Sequence, residues 1–232
     1  VTGMSGAGKT VLFDHLTGVA YHQGYKPPGR SRSLEKGQSP EKGYRIRLNT
    51  LPGQESPARL AAITKVFETK RPVDGVIHVV SNGYTGLREP AAIQALISDA
   101  KIDTIEKLRQ QYLAAELEDL EHTLRLIQAS IRKTRKPRWM IVAVAKADLF
   151  YDKLTDAQMY YSPGGNSPFV DKIQRFMSQV GSDNFEWEAM PVATWLEDYV
   201  WENEIAVSQL KQDVRDHFVA QFAEVVRKNC GN

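Results

Sequence analysis

Eight residues near the start of the chain, Gly3-Met4-Ser5-Gly6-Ala7-Gly8-Lys9-Thr10, match the pattern G-x-x-x-x-G-K-[ST] in full. No other feature limits the fold as strongly, because the chemistry of this pattern needs a strand before it and a helix after it. Glycines let the main chain curl around an anion, so that successive N–H groups point at a β-phosphate. The positive end of the following helix reinforces them. The lysine reaches the β- and γ-phosphates and supports phosphoryl transfer, and the hydroxyl after it ligates Mg²⁺. Val1-Thr2 therefore read as the end of a strand, and a helix is expected from Lys9 to about Tyr21. Gly3, Ser5, Gly6, Ala7, Gly8, Lys9, Thr10 and Val11 form the expected phosphate site, with Thr10 as the metal ligand. The pattern leaves ATP and GTP equally open.

Downstream, short apolar runs alternate with helical periodicities, the mark of an α/β sheet with helical crossovers. Residues 23–43 are rich in Gly, Pro, Ser and Lys and read as a loop of weak strand character, with a turn at 38–43. Tyr44 to Leu48 alternates with period two and reads as a half-exposed strand. Ala58 to Phe67 is expected as a helix, Val73 to Val80 and Trp139 to Val144 as buried strands, and Trp187 to Thr194 as the last strand. From Asp103 to Thr134, Leu113, Leu117, Leu120, Leu124, Ile127 and Ile131 recur at steps of four and three. Such a helix would be about 45 Å long. Ser208 to Lys228 reads as an amphipathic helix with Leu210, Val214, Phe218, Phe222 and Val225 on one face.

Composition narrows the partners. A net charge of +2 argues against a dedicated nucleic-acid binder. The one cysteine, Cys230, makes no internal disulfide and no cysteine-based zinc site, which fits a reducing, cytoplasmic setting. No apolar run reaches the roughly 18–20 residues that span a bilayer, and membrane association is not indicated. The first motif follows Val1 so closely that the chain reads as a fragment.

Four motifs in order resemble the Ras-like small GTPases and the wider translation-factor class. The first is the phosphate loop. The second, Thr50-Leu51-Pro52-Gly53-Gln54-Glu55, resembles D-x-x-G-Q-E with threonine in place of the aspartate. The third, Ala145-Lys146-Ala147-Asp148, resembles N-K-x-D with alanine in place of the asparagine. The fourth, Pro191-Val192-Ala193-Thr194, resembles the S-A-K base loop. The Leu-Pro-Gly wording is also similar to that of Arf-like proteins and of the beta subunit of the signal-recognition-particle receptor.

The resemblance implies a Ras-like P-loop fold, a mainly parallel central sheet flanked by helices with one extended helix. It implies GTP and GDP as ligands and Mg²⁺ as cofactor. Asp148 would accept from the guanine N1 and N2 groups, a donor pair adenine lacks. The Lys146 stem would lie along the base, the Ala193 N–H would face the guanine O6, and Thr194 would belong to the same nucleotide-binding loop. Gly53 would give its N–H to the γ-phosphate, and Gln54 would orient the attacking water. Thr50 carries no charge to hold Mg²⁺, so either metal binding is weaker or another acid takes over. Ala145 lacks the amide that ties the base loop to the phosphate loop. Ser5 crowds the γ-phosphate and points to slow turnover or a helper protein. Ser31 and Ser33 are candidates for a metal-sensing switch residue, and Arg30 and Arg32 for an arginine finger.

The chain reads as one domain over 1–232, with an extended helix at about 103–135 and a second insertion at about 151–186. The long helix is expected either to pack on the sheet or to pair with a partner chain or a second copy. The basic run 132–138 reads as a helix end. The expected function is a slow GTP-hydrolysing switch toward a protein partner, with a pseudo-GTPase scaffold and an ATP-dependent P-loop protein as alternatives.

Overall fold

The Val- and Ile-rich runs at 75–80 and 139–144 form adjacent strands at the centre of the computed structural model, which describes residues 1–29, 31, 33–40, 46–53, 56–68, 72–87 and 89–231. In chain order the elements are β1 (Thr2–Gly3), α1 (Lys9–Leu16), β2 (Glu35–Gln38), β3 (Arg47–Thr50), α2 (Pro57–Phe67), β4 (Gly75–Val80), α3 (Pro90–Ser98), α4 (Ile105–Thr134), β5 (Trp139–Val144), α5 (Leu154–Tyr161), α6 (Pro168–Val180), β6 (Glu186–Pro191), β7 (Tyr199–Trp201), β8 (Glu204–Ala206) and α7 (Gln212–Gly231). The fold is α/β. Its central sheet has the order β1-β4-β5-β6, and every pair in it is parallel. β2 and β3 form an antiparallel pair, joined to the edge of β1 where the Leu51 N–H donates to the Val1 carbonyl at 3.0 Å.

Period-two alternation sends the strand residues to two cores. Val76, Val80, Met140, Val142 and Val144 face α2, α4, α5 and α6. Ile77, Val79, Ile141 and Ala143 face α1 and α7. On α4, Leu120, Leu124, Ile127 and Ile131 are buried, so this part of the stripe packs on the chain's own core, while Leu113 and Leu117 are partly buried. Each such buried side chain contributes about 1.5–3 kcal/mol of burial free energy. Side-chain caps set the starts of three helices: Ser56 for α2, Thr104 for α4 and Ser167 for α6.

Several boundaries differ from the expectation. α1 stops at Leu16, because Gly18 turns left-handed and only a short 3-10 segment follows, Val19–Tyr21. The strand expected at 44–48 runs over Arg47–Thr50, and Tyr44 and Arg45 lie outside the described residues. The preceding stretch contributes β2, which pairs with β3 and packs on α1 around Gly37. The last parallel strand ends at Pro191. The buried face of α7 is Val219, Phe222 and Val226, rotated from the expected stripe by about one residue. Among the described residues, no helix is long and apolar enough to cross a membrane.

Candidate nucleotide site

Parallel register brings four loops to one edge of the sheet. Gly3 pairs with Val79, Val80 with Val144, and Val144 with Pro191, so the segments after β1, β4, β5 and β6 all open on the carboxyl side. Ligands of open α/β sheets bind at this edge. A cavity of about 830 Å³ lies there. Ser5, Gly6, Gly8, Lys9, Thr10 and Val11 line one part of it, and Lys146, Asp148 and Thr194 another. Gly53 and Ser31 also line it, whereas Ser33 is exposed. Gly3, Ala7 and Ala193 are buried and do not line the cavity. Gln54, Arg30 and Arg32 lie outside the described residues.

The phosphate loop is set by its neighbours. Gly6 has φ +81, and a Cβ there would collide with the Gly86 main chain, so only glycine fits. The Gly86 N–H donates to the Gly6 carbonyl at 3.2 Å. Lys9 is 6% exposed, and its ammonium donates to the Met4 carbonyl at 2.6 Å. Gly53 lies directly on the loop: a Cβ there would come within 2.5 Å of the Lys9 Nζ and 2.5 Å of the Ser5 nitrogen.

Burial lowers the Lys9 ammonium to about 8, with Asp119 and Glu35 pulling it up and Arg59 pushing it down. Because this lies below the ordinary value of 10.5, the nucleotide-free fold gains stability as pH rises from about 8 toward 10.5. Anion affinity falls over the same window. Binding of a polyphosphate at pH 8.5 should therefore take up protons. Calorimetry in two buffers of different ionisation enthalpy measures this uptake.

The end of the cavity away from the phosphate loop is built from the turn after β5. Lys146 takes the left-handed conformation, and its ammonium donates to the Tyr84 carbonyl. It also lies 5.5 Å from the centroid of the Tyr199 ring. Asp148 is 1% exposed. Its Oδ2 accepts from the Ser208 hydroxyl at 2.8 Å, while its Oδ1 is buried without a hydrogen-bond partner. Burial raises the Asp148 carboxyl, against the pull of the Ser208 hydroxyl and the nearby Glu197 amide. Thr194 is held through its carbonyl, which accepts from the His15 ring at 2.9 Å.

Sequence reading missed the loop at 81–87 and its anchor. Glu116, on α4, is 2% exposed. Its Oε1 accepts from the Ser81 N–H at 2.8 Å and the Gly83 N–H at 3.2 Å, and its Oε2 accepts from the Tyr161 hydroxyl at 2.6 Å. The loop thus held reaches the phosphate loop through Gly86 and the base loop through Tyr84. It thereby joins the phosphate loop to the turn after β5. Behind Lys9, Arg59 on α2 pairs with Asp119 on α4 at 2.9 Å and donates to the Pro52 carbonyl at 3.0 Å, which fixes the turn carrying Gly53.

No family model matches the chain, and no curated protein matches its sequence. Among solved structures, the chain is similar to the mammalian SRP receptor, at 16% identity over 83% of this chain and 89% of that one, with a TM-score of 0.47. It is also similar to the GTPase-like domain of S. cerevisiae Ski7, solved bound to GTP. There the identity is 12% over 99% of this chain and 49% of that one, with a TM-score of 0.45.

Proposed function

We propose that this chain is a guanine-nucleotide-binding domain that holds GTP with Mg²⁺, hydrolyses it slowly to GDP and phosphate, and acts as a switch toward a protein partner. One observation carries the reading. The phosphate loop and a buried carboxylate, Asp148, whose Oδ1 makes no hydrogen bond of normal geometry beside the pull of nearby main-chain amides, belong to residues lining a single cavity. An unsatisfied buried acceptor is costly. The guanine N1 and N2 groups are the donors that would satisfy it.

In this reading the phosphate-loop amides and Lys9 hold the β- and γ-phosphates. Thr10 holds Mg²⁺, which when bound neutralises charge on the phosphate oxygens. Lys146 lies along the base and Asp148 selects it. Gln54 would orient the attacking water, and Gly53 would report the γ-phosphate to α2.

Competition of a fluorescent GDP by GTP and by ATP tests the base assignment. ATP should compete at least about tenfold more weakly than GTP. Asp148→Ala should weaken GTP by roughly 100-fold and ATP little. GTP affinity should also fall on acidification sooner than an ordinary aspartate would allow, because the raised carboxyl must be ionised to accept. Equal competition by ATP in the wild type overturns the guanine reading.

A second reading, a pseudo-GTPase scaffold, is favoured by Thr50 and Ala145, which stand where the resemblance implies a metal-holding acid and a loop-tying amide. Single-turnover hydrolysis separates the two. A wild-type rate no faster than buffer, matched by Gln54→Ala, selects the scaffold.

A further inference from the structure

We propose that the outer face of the β7–β8 hairpin is the surface this switch presents to its protein partner, and that it takes a segment in which Lys or Arg side chains are interspersed with apolar ones. The switching half rests on the guanine-nucleotide reading above, and the docking half stands on the hairpin itself.

The hairpin is a two-stranded antiparallel ladder outside the central sheet. Its side chains alternate between two faces. Tyr199, Trp201 and Ala206 turn inward. Trp201 is 5% exposed, and its indole N–H donates to the Ile102 carbonyl at 3.0 Å. Tyr199 and Ala206 pack on the core. The Glu204 carboxylate accepts from the Ile105 N–H at 2.7 Å, at the start of α4. With the inner face so anchored, the pleat sends Val200 and Ile205 outward. They are partners across the ladder, share one face, and are each 60% exposed. Val207, two residues beyond Ile205, is 59% exposed. The anchored hairpin therefore holds three β-branched side chains in water. Apolar clusters rimmed by polar residues mark interaction sites.

Charge selects the occupant. Glu197 and Asp198 precede β7, Glu202 lies in the turn and Glu204 opens β8, and all four are exposed. No Lys or Arg stands between Trp195 and Leu210. Among the described residues, none of the four acids is in an ion pair. The whole chain carries +2, so the acidity is local. It repels an anionic lipid surface and a nucleic-acid backbone alike. The basic run at 132–138 of a second copy offers charge without an apolar match, because Pro137 and the preceding Ile131 are buried. A segment of another protein with both cations and apolar side chains complements both features.

Both ends of the hairpin are fastened to Asp148, the residue assigned to the base. The Ser208 hydroxyl donates to its Oδ2 at 2.8 Å, and the Gln209 N–H donates to its carbonyl at 2.9 Å. On the other side, the Glu197 amide pulls on its carboxyl. The Tyr199 hydroxyl donates to the Thr85 carbonyl at 2.9 Å, and its ring faces the Lys146 ammonium. Val200 itself lines the cavity. A base held by Asp148 shares that carboxylate with the hairpin. Nucleotide and partner then bias one set of hydrogen bonds, and their coupling is reciprocal.

The test selects short peptides from a random displayed library on the full chain with GDP and Mg²⁺. A fluorescein-labelled synthetic copy of the enriched sequence is then titrated by anisotropy. Enriched peptides should combine Lys or Arg with Leu, Ile, Val or aromatic residues. The Ile205→Ser/Val207→Ser variant should bind the peptide at least about tenfold more weakly, with an unchanged thermal midpoint. Glu202→Lys should weaken it by about threefold or more, a difference that fades at high salt. Removing the nucleotide should change peptide affinity by about fivefold or more, and the peptide should change mant-GDP affinity by the same factor. Enriched peptides without basic residues, or equal binding by the serine variant, overturn the docking surface. Self-association that the serine variant abolishes also overturns it, because the face then belongs to a second copy. Peptide affinity indifferent to nucleotide, in protein that does bind mant-GDP, overturns the link to the switch. If mant-GDP does not bind at all, the nucleotide reading has failed and the switching half falls with it, while the peptide titrations still decide the docking half.

Discussion

Replacing Glu116 by leucine is expected to destabilise the fold by about 3–5 kcal/mol, the size of effect seen when a buried polar network loses its central acceptor. The carboxylate receives two main-chain N–H groups, the Ser81 hydroxyl and the Tyr161 hydroxyl. Leucine fills similar volume but leaves all four donors facing apolar atoms. For a chain of this size the melting temperature should fall by about 6–20 °C. Glu116→Gln keeps an acceptor for the Ser81 and Gly83 amides and should cost about 1 kcal/mol. That milder variant carries the functional half of the prediction. The loop at 81–87 joins Gly6 to Lys146, so loosening its anchor should speed nucleotide release even where the fold survives. Thermal unfolding and mant-GDP dissociation measure the two effects. A Glu116→Leu protein as stable as wild type would mean that the loop is held elsewhere.

Replacing Lys9 by methionine is expected to separate stability from function. The ammonium is desolvated, and its pKa of about 8 means that folding pays for keeping it charged at neutral pH. Methionine fills the same channel without a charge, so the nucleotide-free protein should be as stable as wild type or more stable. Nucleotide binding should fall by at least about 100-fold, because the buried ammonium of the phosphate loop is gone. A destabilised Lys9→Met variant with unchanged affinity would place the lysine in the architecture and remove it from the site.

The parts of the fold visible in the sequence are those whose signal is local. The phosphate loop carries its own spacing. The apolar runs of β4 and β5 are buried on both faces, and α4 repeats its leucines over thirty residues, Ile105–Thr134. The A-K-A-D turn was legible because it directly follows β5. β2 was not legible, because Glu35-Lys36-Gly37-Gln38 has no apolar alternation and becomes a strand only by pairing with β3 and packing Gly37 on Phe13. The β7–β8 hairpin is similarly short, and α3 buries no residue fully. Glu116 reads in sequence as one more charge on a polar helix. Its role appears only when the loop after β4 folds back onto α4. The α7 stripe was displaced by one residue because several of its apolar positions are half-exposed, so periodicity alone does not fix the buried face.

The account stands or falls on guanine-nucleotide binding at the edge of the sheet. Calorimetric titration of the wild-type chain with GTP, and then with ATP under the same conditions, both with Mg²⁺ present, tests it most directly. One site per chain is predicted, with ATP at least about tenfold weaker than GTP. Folded protein that releases no heat with GTP or GDP, or that takes ATP as tightly as GTP, would contradict it.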